Sequence, residues 1–161
     1  MAEPQIRLGR AAFASMYETL RTALPKEAGG VLVGWRDGAH IVVVAALPVA
    51  DVGARTAHYV RRHAAASEAL NSYLETATDP LAGYVGEWHT HPVSAPPSQT
   101  DKESIVAVAS QIDAPIALVV LAWDRTRGDV DLHGVSARRM EERVILALAH
   151  CVRLEVNCVD G

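Results

Sequence analysis

Apolar residues between Ala11 and Leu24 recur at three- and four-residue intervals (Phe13, Met16, Tyr17, Leu20, Leu24). That spacing predicts an amphipathic helix, which Pro25 ends. Two β-rich runs follow, Val31 to Trp35 and Ile41 to Ala45, joined by Arg36-Asp37-Gly38. Asp-Gly between such runs signals a hairpin, and the second strand stops at Pro48. Residues 51–62 carry no clear period. Ala64 to Thr76 is rich in Ala, Glu and Leu and predicts a second helix. Leu81 to His91 predicts a strand, Pro92 to Pro97 a proline-rich loop, and the stretch from Ser98 or Thr100 to about Ser110 a third helix. The unbroken apolar run Pro115 to Trp123 reads as a buried strand. Val130 to Val135 alternates and pairs with it across the polar turn Asp124 to Gly128. Arg138 to Leu154 has helical spacing and predicts a final amphipathic helix. The resulting order, αββαβαββα, is that of a single α/β (α+β) domain spanning residues 1–161.

Composition narrows the class. A chain of 161 residues, half of them apolar, buries a core without disulfide or metal staples. A net charge of −4 lacks the basic stripe of a nucleic-acid binder; the basic pairs Arg61-Arg62 and Arg138-Arg139 read as solvated surface. There is neither a signal-like N-terminus nor an apolar run long enough to span a membrane. Cys151 and Cys158 read as reduced core thiols rather than a disulfide. A cytoplasmic setting is therefore expected, with no nucleic acid and no membrane. The sequence carries no signal for oligomeric state.

The chemistry concentrates in Glu87-Trp88-His89-Thr90-His91-Pro92 and Ser98-Gln99-Thr100-Asp101. Residues i and i+2 of a strand share a face, so His89 and His91 aim at one point while Thr90 points away. Asp101, entering the next helix, can supply an oxygen. Two nitrogens, one oxygen and a position left for water describe a catalytic zinc site, whereas structural zinc sites are closed by four protein ligands. Ser98-x-x-Asp101 also fits an acidic capping box at a helix start. Thr100-x-x-Glu103 could cap instead, and the two roles can coexist. Two carboxylates qualify as general base. Glu87 shares the histidine face, and Glu27 precedes Gly29-Gly30; spacing alone favours Glu87 without settling the choice. His40, His58, His63, His133 and His150 read as structural, and the 51–63 stretch, with His58, as surface loop.

These residues resemble the JAMM (MPN+) metalloproteases, the JAB-domain peptidases. Glu27-Ala28-Gly29-Gly30-Val31-Leu32-Val33-Gly34, His89-Thr90-His91-Pro92 and Ser98-Gln99-Thr100-Asp101 match the family pattern of an upstream glutamate, His-x-His-Pro and Ser-x-x-Asp. The resemblance implies an MPN/JAB-like, cytidine-deaminase-like domain: a mixed sheet flanked by helices. It implies one zinc per chain held by His89, His91 and Asp101, with Glu27 as general base and Ser98 as hydrogen-bond donor to the oxyanion. Glu87 then takes a supporting role. One departure is the loop between His91 and Ser98, six residues here where the family usually has seven.

Gly86-Glu87-Trp88-His89-Thr90-His91-Pro92 also resembles the bacterial branch encoded beside activating and conjugating enzymes for ubiquitin-like proteins, including those of antiphage defence operons. The implied activity is peptidase or isopeptidase cleavage after the C-terminus of a ubiquitin-like protein, whose tail would add as a strand beside the site. The alternatives are a peptidase of sulfur-carrier proteins or small peptides, and a non-catalytic MPN scaffold.

Overall fold

The computed structural model describes residues 3–49 and 58–154, with side chains from residue 65 onward in the second stretch. Eight strands form one mixed sheet. They are β1 (Gln5–Leu8), β2 (Gly29–Asp37), β3 (His40–Pro48), β4 (Gly83–His91), β5 (Ile116–Asp124), β6 (Asp129–Met140), β7 (Arg143–Leu148) and β8 (His150–Arg153). The helices are α1 (Arg10–Ala23), α2 (His58–Thr76) and α3 (Gln99–Ala109). Across the sheet the order is β7-β6-β5-β4-β2-β3-β1-β8. β4 lies antiparallel to β2 and parallel to β5. A parallel pair requires a crossover, which the loop after His91 and α3 supply.

Two apolar cores cover the two faces. On one, Ala12, Met16 and Leu20 of α1 pack against Leu32, Val43, Val85, Trp88 and Leu121. On the other, Ile105 and Ala109 of α3 pack against Ile116, Leu118, Val120, Val135 and Ala137. β5 contributes to both cores, which is why its run lacks alternation. Among the described residues, no helix is long and apolar enough to cross a membrane.

The predicted layering of a mixed sheet between helices is what the chain forms, but one predicted element is wrong. Residues 138–154 are not a helix. β6 continues to Met140, turns through Glu141 and Glu142 and returns as β7, after which β8 pairs with β1. Glu141 holds the turn at φ 59°, a left-handed conformation that Gly, Asn or Asp would have advertised. The helical spacing is real, but pairing with β6 and β1 prevails over it. The short strand β1 precedes the first predicted element. α2 begins at His58, so residues 58–63 are helical rather than loop. Residues 51–57, Cys158 and the side chains of His58, Arg61, Arg62 and His63 lie outside the described residues.

Candidate active site

The site sits at the carboxyl end of β4, where three strands meet one helix start. Trp88 and Thr90 are buried toward α1. Glu87, His89 and His91 occupy the opposite face, as the two-residue period requires. Gly86 sets that phase. It lies opposite the irregularity between Leu32 and Val33, at φ +154°, and a Cβ there would stand 2.0 Å from the Ala117 carbonyl oxygen.

Thr90 locks the start of β2 beside the histidines. The Ala28 amide donates to Thr90 Oγ1 at 2.9 Å, and the Thr90 amide donates to the Ala28 carbonyl at 2.8 Å. Gly29 then passes opposite His89. A Cβ on Gly29 would lie 2.6 Å from the Trp88 carbonyl oxygen and 3.2 Å from His89 Nδ1, so only glycine allows so close an approach. Glu27, exposed and one residue upstream of this pairing, has its backbone carried to the histidine end of β4 by these bonds. The sequence offered this arrangement only as a resemblance, whereas the hydrogen bonds supply a mechanism for it.

His91 is buried and held at both ring nitrogens. Nδ1 lies 3.0 Å from the Ala95 carbonyl, and Nε2 lies 3.2 Å from Asp101 Oδ2. A carbonyl and a carboxylate both only accept, so a neutral ring, which carries one proton, can donate to just one of them. The nitrogen without the proton faces an oxygen that repels its lone pair. Asp101 also completes a capping box: its Oδ2 accepts from the Ser98 amide at 2.8 Å, while its own amide donates to Ser98 Oγ at 3.1 Å. Ser98, not Thr100, is the cap, and capping leaves Asp101 Oδ2 within reach of His91. Burial raises the Asp101 pKa, but the Ser98 hydrogen bonds and the charges of His89 and His91 outweigh it and hold the carboxyl below its ordinary range.

Asp101 is thus brought together with His91 and Ser98, and close enough to His89 to feel its charge. Among the described residues, no three His, Cys, Asp or Glu stand assembled as a metal-binding group. Glu87, the other carboxylate on this face, lines a cleft of about 270 Å³ between α2 and α3, with Leu70, Tyr84 and Ser104. β4 is paired with β2 through His89 and with β5 through His91. Both sides of β4 are thus occupied, and no further strand can pair with it. Sequence reasoning missed Thr90, whose hydroxyl meets the backbone of Ala28 far upstream, and Ala95, which acts through its carbonyl; neither pairing is marked locally in the sequence.

Comparison with known proteins bears on this geometry. The solution structure of protein DSY2949 from Desulfitobacterium hafniense is similar in fold, with a TM-score of 0.66, 19% identity and 97% of each chain covered. A curated relative from Vibrio cholerae, named CD-NTase/cGAS isopeptidase, is 38% identical over 85 residues, which are 50% of this chain. That match spans 53% of the relative's length. The family described as prokaryotic homologs of the JAB domain matches residues 9–140, and the chain belongs to it.

Proposed function

We propose that the chain is a zinc-dependent peptidase or isopeptidase cleaving after the C-terminus of a ubiquitin-like protein. Membership of the JAB family and the isopeptidase named among its relatives support a peptide or isopeptide bond as the target. The observation that carries the reading is the His91–Asp101 pair. With Nδ1 donating to Ala95, a divalent cation held by Nε2 and Oδ2 would satisfy both acceptor groups at once. Two ligand atoms of a tetrahedral zinc, each about 2.0–2.1 Å from the metal, lie about 3.3–3.4 Å apart. The 3.2 Å separation fits this. His89, on the same face, is the third candidate ligand.

A zinc ion held by these residues would supply Lewis-acid polarisation and a water activated near neutral pH. The chain's own groups do the rest. Glu27 takes a proton from the attacking water and passes it to the departing amine. Ser98 Oγ accepts from the Asp101 amide, which leaves its own hydroxyl proton to donate to the oxyanion. The cleft beside Glu87 receives the extended tail. The biological setting we propose is a bacterial ubiquitin-like conjugation operon of the antiphage kind, in the cytoplasm, with the operon's activating and conjugating enzymes as further partners.

The test uses purified protein and the neighbouring operon's ubiquitin-like protein fused to a C-terminal peptide. Cleavage should require zinc, stop with a chelator, and vanish in both Glu27→Gln and Asp101→Ala. Activity persisting in both variants would overturn the mechanism. The scaffold reading is favoured by the lack of a preassembled three-ligand group among the described residues. Substoichiometric zinc after metal reconstitution would select it.

A further inference from the structure

The loop that delivers Ser98 and Asp101 to the histidines is fastened from a direction the catalytic motif does not contain. His91, Ala122 and Asp131 lie in one row across β4, β5 and β6. From two strands away, Asp131 Oδ2 accepts a 3.0 Å hydrogen bond from the hydroxyl of Ser94, in the loop just after His91. Asp131 Oδ1 is gripped by the Arg127 guanidinium. Arg127 is itself fixed, since its Nε donates to Asp124 Oδ2 at 2.8 Å. The Asp124 Oδ1 atom takes the Thr126 and Arg127 amides at 2.9 and 3.2 Å. Gly128, at φ +63°, closes that turn. The β5–β6 turn is thus a rigid post, and Asp131 is its hook on the loop.

Ser94 is the neighbour of Ala95, whose carbonyl holds His91 Nδ1. Fixing Ser94 fixes that carbonyl, and the carbonyl, against Nδ1, sets the orientation of the ring and the direction in which Nε2 points. The loop of only six residues between His91 and Ser98 includes Pro92, Pro96 and Pro97, so it has little freedom to aim Ala95 by another route.

We infer that Asp131, clamped by Arg127, is a positioning residue that aims His91 through Ser94 and Ala95. Its consequence for zinc rests on the function proposed above; its consequence for the His91 ring does not. An exposed ion-pair network adds little to global stability, so the signature is a misaimed imidazole in a protein that melts normally.

The experiment compares Ser94→Ala, Asp131→Ala and the hydroxyl-retaining Ser94→Thr with the unaltered protein. In the metal-free proteins, NMR follows hydrogen exchange of the His91 Nδ1 proton; in a second arm, competition with a chelator gives the zinc Kd. Both alanine variants should exchange that proton at least about 10-fold faster and hold zinc about 10-fold more weakly, in line with other outer-shell partners of metal-bound histidines. Their Tm should stay within about 2 °C of the unaltered protein. Ser94→Thr should keep both values within about 2-fold. Unchanged exchange in both alanine variants would overturn the inference, as would a His91 protonated on Nε2 alone in the unaltered protein, or a large fall in Tm accompanying the faster exchange. Failure of the unaltered protein to bind zinc sinks the metal reading separately, and proton exchange still decides the role of Asp131.

Discussion

Replacing Thr90 with valine tests whether its hydroxyl holds the Glu27 segment against the histidine strand. Thr90 is 1% exposed, and valine copies its shape while deleting the oxygen that accepts from the Ala28 amide at 2.9 Å. The backbone bond from the Thr90 amide to the Ala28 carbonyl survives, so the strand ends stay paired. What is lost is the acceptor, which leaves the amide of half-buried Ala28 unsatisfied, and a long 3.4 Å donation to the Ala28 carbonyl, an oxygen that keeps the Thr90 amide. A fully buried orphan donor costs about 1–3 kcal/mol, and partial exposure places this one in the lower half, about 1–2 kcal/mol. For a chain of this size that is a fall in Tm of about 2–8 °C, checked by urea unfolding with an unchanged slope. On the proposal that Glu27, the adjacent residue, is the general base, turnover should fall as well. The kcat for a ubiquitin-like fusion should fall about 10- to 100-fold, with KM within about 2-fold. Thr90→Ser should restore both quantities. Wild-type stability together with wild-type turnover in Thr90→Val would refute the argument that this hydroxyl positions the base.

Other perturbations separate the groups of the site. Asp101→Asn keeps an acceptor for the Ser98 amide, so the metal-free protein should lose less than about 1 kcal/mol, whereas the roughly 2.7 kcal/mol of stabilisation expected from zinc at 100 times its Kd should disappear. Ser98→Ala should do the converse, costing about 0.5–2 kcal/mol of stability through the lost cap while zinc still stabilises the fold; thermal melts with and without zinc read both. Burial pushes the Cys151 thiol up from 9.0 to about 12, so iodoacetamide at pH 8 should label it only after denaturation. The unfolded chain loses that proton near pH 9 and the folded chain near pH 12, so stability should fall with rising pH across that window in wild type and not in Cys151→Ala. Leu148 is 84% exposed on β7, and Leu148→Lys should leave Tm within about 2 °C; a fall of more than about 5 °C would mean that the leucine is covered.

Much of the fold was legible because its elements carry local periods. The 3.6-residue spacing of Phe13, Met16 and Leu20 and the Asp37-Gly38 turn need no partner to be recognised. The stretch from Arg138 to Leu154 failed for the opposite reason. It reads as helical in isolation, and only a neighbouring strand tells it otherwise. Its turn, Glu141-Glu142, carries no glycine or asparagine to mark the reversal. In the site, the side chains that the fold gathers were legible, since the two-residue period places His89 and His91 on one face and Ser98-x-x-Asp101 marks a helix start. Residues whose partners lie far away in sequence were not. Thr90 reads as a mere spacer until Ala28 is found against it, and Asp131 lies two strands away from the loop it holds.

Sequence left open whether Asp101 caps a helix, binds a metal or does both, and the geometry explains how one carboxylate could serve both. Capping needs an acceptor near the first amides of α3, and a helix start favours negative charge there whatever else the carboxylate does. The Ser98 amide, donating to Oδ2, fixes the rotamer that brings this oxygen within 3.2 Å of His91 Nε2. The cap therefore orients the carboxylate toward His91 before any cation is bound. The same hydrogen bonds keep the carboxyl ionised against the pull of burial, so it presents a charged oxygen rather than a proton. On the other side Ala95 fixes His91 by the same logic, a backbone group deciding how a side chain faces the centre. A cation arriving there meets donors whose orientation entropy has already been lost on folding, which reduces what must be ordered on binding.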